Sequence, residues 1–222
     1  LDKKIAITLY KNYLKALCDN LNDIGININT IPVLDVLRNN TNGIIGKRSF
    51  SKDKDIVNDL GKITIREFHI NKIATVIKHI PGHGCSTIDS HQKMPKVNLN
   101  IKTLNKIDFY PFKSTYSKLA MTAHILYSKI DSKNVSTFSK KIINEIIRKK
   151  IGFKGILMSD NISMKALKYD LITNAKKSLL AGCNLVLYCA GNIKDNFKLI
   201  KSVPYIDQFT AKKTSEIYKI LR

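Results

Sequence analysis

The sequence has no tryptophan, five prolines and four cysteines in 222 residues, and only 17 acidic side chains against 38 basic ones. Each scarcity excludes something. Cys18, Cys85, Cys183 and Cys189 form no CxxC pair, so neither a zinc site of paired thiolates nor a disulfide framework is implied, and they read as reduced thiols. No collagen-like, mucin-like or low-complexity tract is present. The longest apolar stretch, residues 179–190, is broken by Gly182 and Asn184 and falls short of the roughly 20 residues a bilayer requires. Behind Lys3 and Lys4 the apolar run covers only residues 5–9, with no small-residue cleavage site, so no signal peptide is read. The chain reads as a cytoplasmic protein without a membrane partner.

What is present is a core and a large positive charge. Apolar residues make up 44% of the chain, enough for one large domain or two small ones, which excludes disorder. The formal charge is +21, but only five of the basic residues are arginine: Arg38, Arg48, Arg66, Arg148 and Arg222. Proteins that read nucleic acid favour the bidentate arginine fork, whereas lysine in bulk beside abundant Asn and Ile looks like coding bias. Nucleic acid is therefore expected only as a non-specific partner.

The chain has a rhythm of amphipathic helix, glycine, short apolar strand and polar loop. Tyr10, Leu14, Leu17, Leu21 and Ile24 mark one helical face, with Gly25 as its stop. Strands are expected at 26–36, 74–80, 118–124, 155–159 and 185–188. A short helix containing Ile56, Val57 and Leu60 should close at Gly61, with a second helical stretch behind it. Ser139 should cap a helix carrying Ile142, Ile143, Ile146 and Ile147, and Gly182 should stop one over 175–180. Alternating helices and buried strands argue for a parallel α/β fold, in which loops after strand C-termini hold the chemistry. Asp35, His79, His124 and Asp160 fall there.

Three of five histidines crowd into residues 78–91, a loop rich in glycine and titratable groups. A surface loop with chance histidines is the plain alternative. A metal held by His79, His83 and His91 lacks a recognised spacing. Asp89, two residues before His91, could hold one imidazole nitrogen and leave the other to shuttle a proton. Asp160 ends an apolar strand, where a buried carboxylate is costly unless used or paired; otherwise it would cap a helix starting near Ile162.

These residues carry a resemblance. Lys78-His79-Ile80-Pro81-Gly82-His83-Gly84 followed by Asp89-Ser90-His91, then Met121-Thr122-Ala123-His124, the run 151–160 ending in Ser159-Asp160, and the run 181–189 are similar to bacterial β-N-acetylglucosaminidases of glycoside hydrolase family 3. Pro32-Val33-Leu34-Asp35-Val36 and the segment 45–50 match in the same order, so the likeness spans roughly residues 10 to 220. It implies a (β/α)8 TIM-type barrel that needs no cofactor or metal. The implied activity is retaining hydrolysis of terminal β-linked N-acetylglucosamine from cell-wall fragments, chiefly N-acetylglucosaminyl-anhydromuramyl saccharides or muropeptides. By the family pattern Asp160 is the nucleophile, His91 with Asp89 the acid/base, and Arg48, Lys78 and His79 bind sugar hydroxyls.

Two departures stand out. Asn161 replaces the family's second acidic residue after Ser-Asp, and no Asp-x-Glu-Gly-Gly segment occurs. Five strands are expected where a closed barrel needs about eight. The chain is therefore read as a single catalytic barrel domain, residues 1–222, lacking the family's first strands. The alternatives are a degenerate homologue that retains sugar affinity without catalysis, and a basic nucleic-acid-binding protein.

Overall fold

The computed structural model describes residues 2–38, 45–86, 93–113 and 115–221. The strands are β1 (Ile28–Asn29), β2 (Ala74–Ile80), β3 (Lys96–Val97), β4 (Leu119–Thr122), β5 (Leu126–Tyr127), β6 (Ile156–Asn161) and β7 (Leu185–Leu187). The helices are α1 (Lys3–Asp23), α2 (Lys54–Ile70), α3 (Ile101–Lys106), α4 (Leu171–Ala181), α5 (Ile193–Ser202) and α6 (Gln208–Tyr218). A π-helical segment, Ile142–Lys150, precedes β6.

Five strands pair in parallel in the order β1-β2-β4-β6-β7, while β3 and β5 form a separate parallel pair. Chain order and spatial order run together in the main sheet, as expected when each strand is followed by a covering segment and the next strand lies alongside. The sheet is an open part of a (β/α) barrel. Among the described residues β1 and β7 are its edges, and Ile28 and Leu185 on them are exposed.

Strand alternation sorts the two faces. Ile77, Ala120 and Leu157 pack with Val57 and Ile65 of α2 and with Ile142, Ile143, Ile146 and Ile147 of the π-helical segment. Ala74, Val76, Leu119, Met121 and Ile156 cluster on the opposite side, joined by Ile217 of α6. Continued by twos, this second face leads to Lys78 on β2 and to Asp160 on β6.

The helix signals hold at three points. Gly25 ends α1 with φ +75° and Gly182 ends α4 with φ +119°, conformations that suit glycine. Ser139 Oγ accepts from the Ile142 amide at 3.1 Å, capping the π-helical segment.

Two expectations need correction. Gly61 stops nothing, because α2 runs unbroken through it; a Cβ there would lie 2.4 Å from Leu34 Cδ2, so the glycine lets the helix close on the segment beside β2. The strand expected over 26–36 is regular only at Ile28–Asn29. Pro32 has no N–H to give a ladder, yet Lys78 N–H reaches Pro32 O at 3.2 Å and Leu34 N–H reaches Lys78 O at 2.8 Å, so the segment still follows β2 to its end.

Candidate active site

Asp35 is wholly buried, and it organises the C-terminal end of β2. Its Oδ1 accepts the His83 amide at 2.5 Å and the His79 amide at 3.2 Å; its Oδ2 lies 2.7 Å from His79 Nδ1. Burial alone would push this carboxyl up. The His79 imidazole and the His83 contacts outweigh burial and hold it below the ordinary carboxylate range. Its backbone carbonyl also takes the Ser49 hydroxyl at 2.7 Å, which ties down the turn carrying Arg48.

His79 is buried, and its Nε2 stands 4.0 Å from Asp160 Oδ2. Its ring meets that of His83 edge-on, with centroids 5.6 Å apart. His83 is driven down to about 4, first by burial and then by His79, so it is neutral at physiological pH. Lys78 donates from Nζ to Thr30 Oγ1 at 3.1 Å, and burial followed by the charge of Arg48 lowers its pKa. Asp160 and Asp35 pull the other way on the same ammonium. Arg48, Lys78, Asp35 and Asp160 therefore share one electrostatic environment.

Both central residues sit at irregularities in the ladder. The β2–β4 register shifts between Lys78 and Ile80, and the β6–β7 register shifts between Met158 and Asn161. Such breaks re-aim side chains at strand ends and are frequent beside active sites. Asp160 keeps 17% of its side chain accessible, and its Oδ1 accepts the Asn161 amide at 2.7 Å. The residues after it form turns, so the alternative of a helix cap near Ile162 is overturned.

Two further motif residues, His124 and Asn161, support this end of the sheet. The Asn161 carbonyl can only accept, so His124 donates to it from Nε2 at 3.1 Å while its Nδ1 faces the Thr137 hydroxyl at 2.7 Å. Asn161 Oδ1 accepts from the Ser163 amide, the Ser163 hydroxyl and the Cys189 amide. These are acceptor duties an amide oxygen meets as well as a carboxylate, which accounts for Asn where acid is the family pattern. At the opposite, N-terminal end of the strands, Asn184 binds the Leu157 amide and Arg148 through Oδ1, and Thr210 through Nδ2.

The two glycines of residues 82–84 mark close approach. Gly82, at φ +138°, lies against the backbone of Asp108, and a Cβ on Gly84 would meet Val36 O at 1.8 Å. Gly84→Ala should therefore destabilise the chain by about 1–3 kcal/mol, the usual penalty of overpacking, with backbone rather than a flexible side chain having to yield. The measurement is a thermal unfolding midpoint, and an unchanged midpoint would contradict the packing described. Beneath this loop Arg38 Nη2 pairs with Asp108 Oδ2 at 2.5 Å; burial raises the Asp108 carboxyl, and Arg38 only partly offsets that.

The structure thus brings together Arg48, Lys78, His79 and Asp160 of the expected site. Asp89 and His91 lie outside the described residues. Asp35 falls among the strand-end residues singled out in the sequence but has no part in the expected site; the signal for one was a carboxylate closing the apolar run 32–36. No group of three or more metal-ligating side chains occurs among the described residues, and no helix of theirs is long and apolar enough to cross a membrane.

Residues 1–214 match the glycosyl hydrolase family 3 N-terminal domain. The chain belongs to glycoside hydrolase family 3. The family 3 chain is 36% identical over 177 residues to the β-hexosaminidase of Shewanella frigidimarina, covering 77% of this chain and 51% of that protein. It is 34% identical over 193 residues to the β-hexosaminidase of Haemophilus influenzae, covering 82% and 54%. Among solved structures, native NagZ from Neisseria gonorrhoeae superposes with a TM-score of 0.86 at 27% identity, over 96% of this chain and 62% of that one. CbsA from Thermotoga neapolitana, solved with zinc bound, gives 0.86 at 28% identity, over 97% and 50%. This family 3 chain spans about half the length of the curated relatives it matches. Its five parallel strands belong to the family's TIM-type barrel.

Proposed function

We propose that the chain carries the retaining β-N-acetylglucosaminidase site of its family, acting on terminal β-linked N-acetylglucosamine of peptidoglycan turnover fragments. The observation that carries this is the meeting of a partly accessible carboxylate, Asp160, with His79 at the C-terminal ends of β6 and β2, beside Lys78 and Arg48. In a parallel α/β barrel, chemistry is placed at that end.

In this reading one oxygen of Asp160 attacks the anomeric carbon and the bond to the leaving group breaks, giving a glycosyl ester. His91, oriented by Asp89, gives its proton to the leaving oxygen. It then takes one from the water that hydrolyses the ester, which returns Asp160 and releases the sugar with retention. An imidazole with an ordinary pKa near 6.5 serves both steps at neutral pH without the burial a glutamic acid needs. Lys78, Arg48 and His79 hold sugar hydroxyls through hydrogen bonds, those from the cations being charge-assisted.

The test is hydrolysis of an aryl β-N-acetylglucosaminide, with the configuration of the first-formed sugar read by NMR, followed by hydrolysis of an N-acetylglucosaminyl-anhydromuramyl disaccharide. Release of the β-anomer from both supports the reading. Inversion would sink the covalent ester, and turnover of the aryl substrate alone would sink the cell-wall assignment. A second reading is a homologue that binds the sugar without hydrolysing it; saturable N-acetylglucosamine binding with no turnover would select it.

A further inference from the structure

The proposed mechanism leaves Asp35 without a part, although among the described residues it is the most heavily hydrogen-bonded carboxylate of the cleft. We propose that Asp35 is a positioning residue for His79: it keeps the imidazole proton on Nδ1 and so makes Nε2, the atom facing Asp160, the one that meets substrate. The inference rests on reading this cleft as a glycosidase site and adds to it which atom of His79 works.

The argument is one of donors and acceptors. The Asp35 carboxylate, buried and ionised, can only accept. His79 Nδ1 lies 2.7 Å from its Oδ2, so Nδ1 must carry a proton. That holds whether the ring is neutral or charged, so any proton the ring gains or loses is exchanged at Nε2, 4.0 Å from Asp160 Oδ2. A neutral ring so arranged offers a lone pair to a sugar hydroxyl. The two main-chain amides on the same carboxylate fix its own orientation, at 2.5 Å from His83 and 3.2 Å from His79.

Those amides also determine what Asp35→Asn would do. The His83 N–H has no choice but to donate, so the side-chain oxygen must stay on Oδ1's side and the new NH2 must take the place of Oδ2. That NH2 then faces Nδ1, which has to become an acceptor, and the ring proton moves to Nε2. A nearly isosteric change would thus turn the working atom from acceptor to donor. A carboxylate that merely filled space would have no such effect.

Long-range 1H–15N spectra of the histidine rings of the full chain test this, with His79→Gln used to assign the signals. The expected result is a neutral ring in the Nδ1–H form in the wild type and in the Nε2–H form in Asp35→Asn. An Nε2–H ring in the wild type, or the same tautomer in both proteins, would overturn the proposal. If Asp35→Asn fails to fold, as judged by circular dichroism, the wild-type tautomer alone decides. In the aryl-glycoside assay the variant should raise KM by about tenfold, the loss of one hydrogen bond, with a smaller change in kcat. A chain without turnover would remove the glycosidase reading and leave the tautomer result to judge Asp35.

Discussion

Asp160→Ala should lower kcat on an aryl β-N-acetylglucosaminide by about a thousandfold or more, because no covalent glycosyl ester can form without the carboxylate. A loss of that size corresponds to about 4 kcal/mol of transition-state stabilisation, well beyond what a misplaced binding group would cost. The protein should remain folded. The side chain is partly accessible and its hydrogen bond, to the Asn161 amide at 2.7 Å, is local, so removing it touches no ladder or core contact. Steady-state kinetics with a parallel unfolding curve separates the two effects. Unchanged turnover would remove Asp160 from the mechanism, and a collapsed unfolding transition would make it a structural residue.

The second large effect concerns His91. Replacing it by alanine should slow substrates with poor leaving groups by about a hundredfold to ten-thousandfold, the range of general acid catalysis, while activated aryl glycosides lose much less in the glycosylation step. Only a poor leaving group needs its proton in the transition state. Asp89→Asn should follow the same pattern in milder form, through the imidazole's tautomer. Rates across a series of leaving groups give the answer. Equal losses along the series would mean that His91 positions the sugar and supplies no proton.

The sequence made the strand ends legible more readily than the strands. Residues 74–80 form one seven-residue strand, as their β-branched, apolar composition predicts, and Gly25 and Gly182 end helices where expected. Gly61 misled because a glycine that stops a helix and one that admits a neighbour look alike in one dimension; the deciding fact, Leu34 lying against α2, is a tertiary contact. The segment 26–36 failed as a continuous strand for a local reason, the missing N–H of Pro32.

The site was legible through its motif. Lys78, His79, Arg48 and Asp160 could be named as a group because they stand in an ordered pattern, not because any one is unusual. Asp35 was visible as a carboxylate within an apolar run and as part of the matched segment 32–36, but with no role attached to it. Its bonds to His79 and His83 span a long stretch of chain, and no periodicity encodes them. His124 shows the opposite error: a histidine after a strand looks chemical, yet it is buried and spends both ring nitrogens on Thr137 and Asn161.

The parallel ladder has a kinetic consequence. Asp35, His79 and Asp160 reach one another only when the segment after β1, then β2, β4 and β6 stand in register, and each pairing joins segments far apart in the chain. Non-local parallel pairing is the slow part of folding, since chain entropy is lost before contacts compensate. Local helices such as α1 and α2 can form well before that. The cleft is therefore expected among the last features to come into existence, and the helix content of a preparation should be a poor measure of how many molecules possess it.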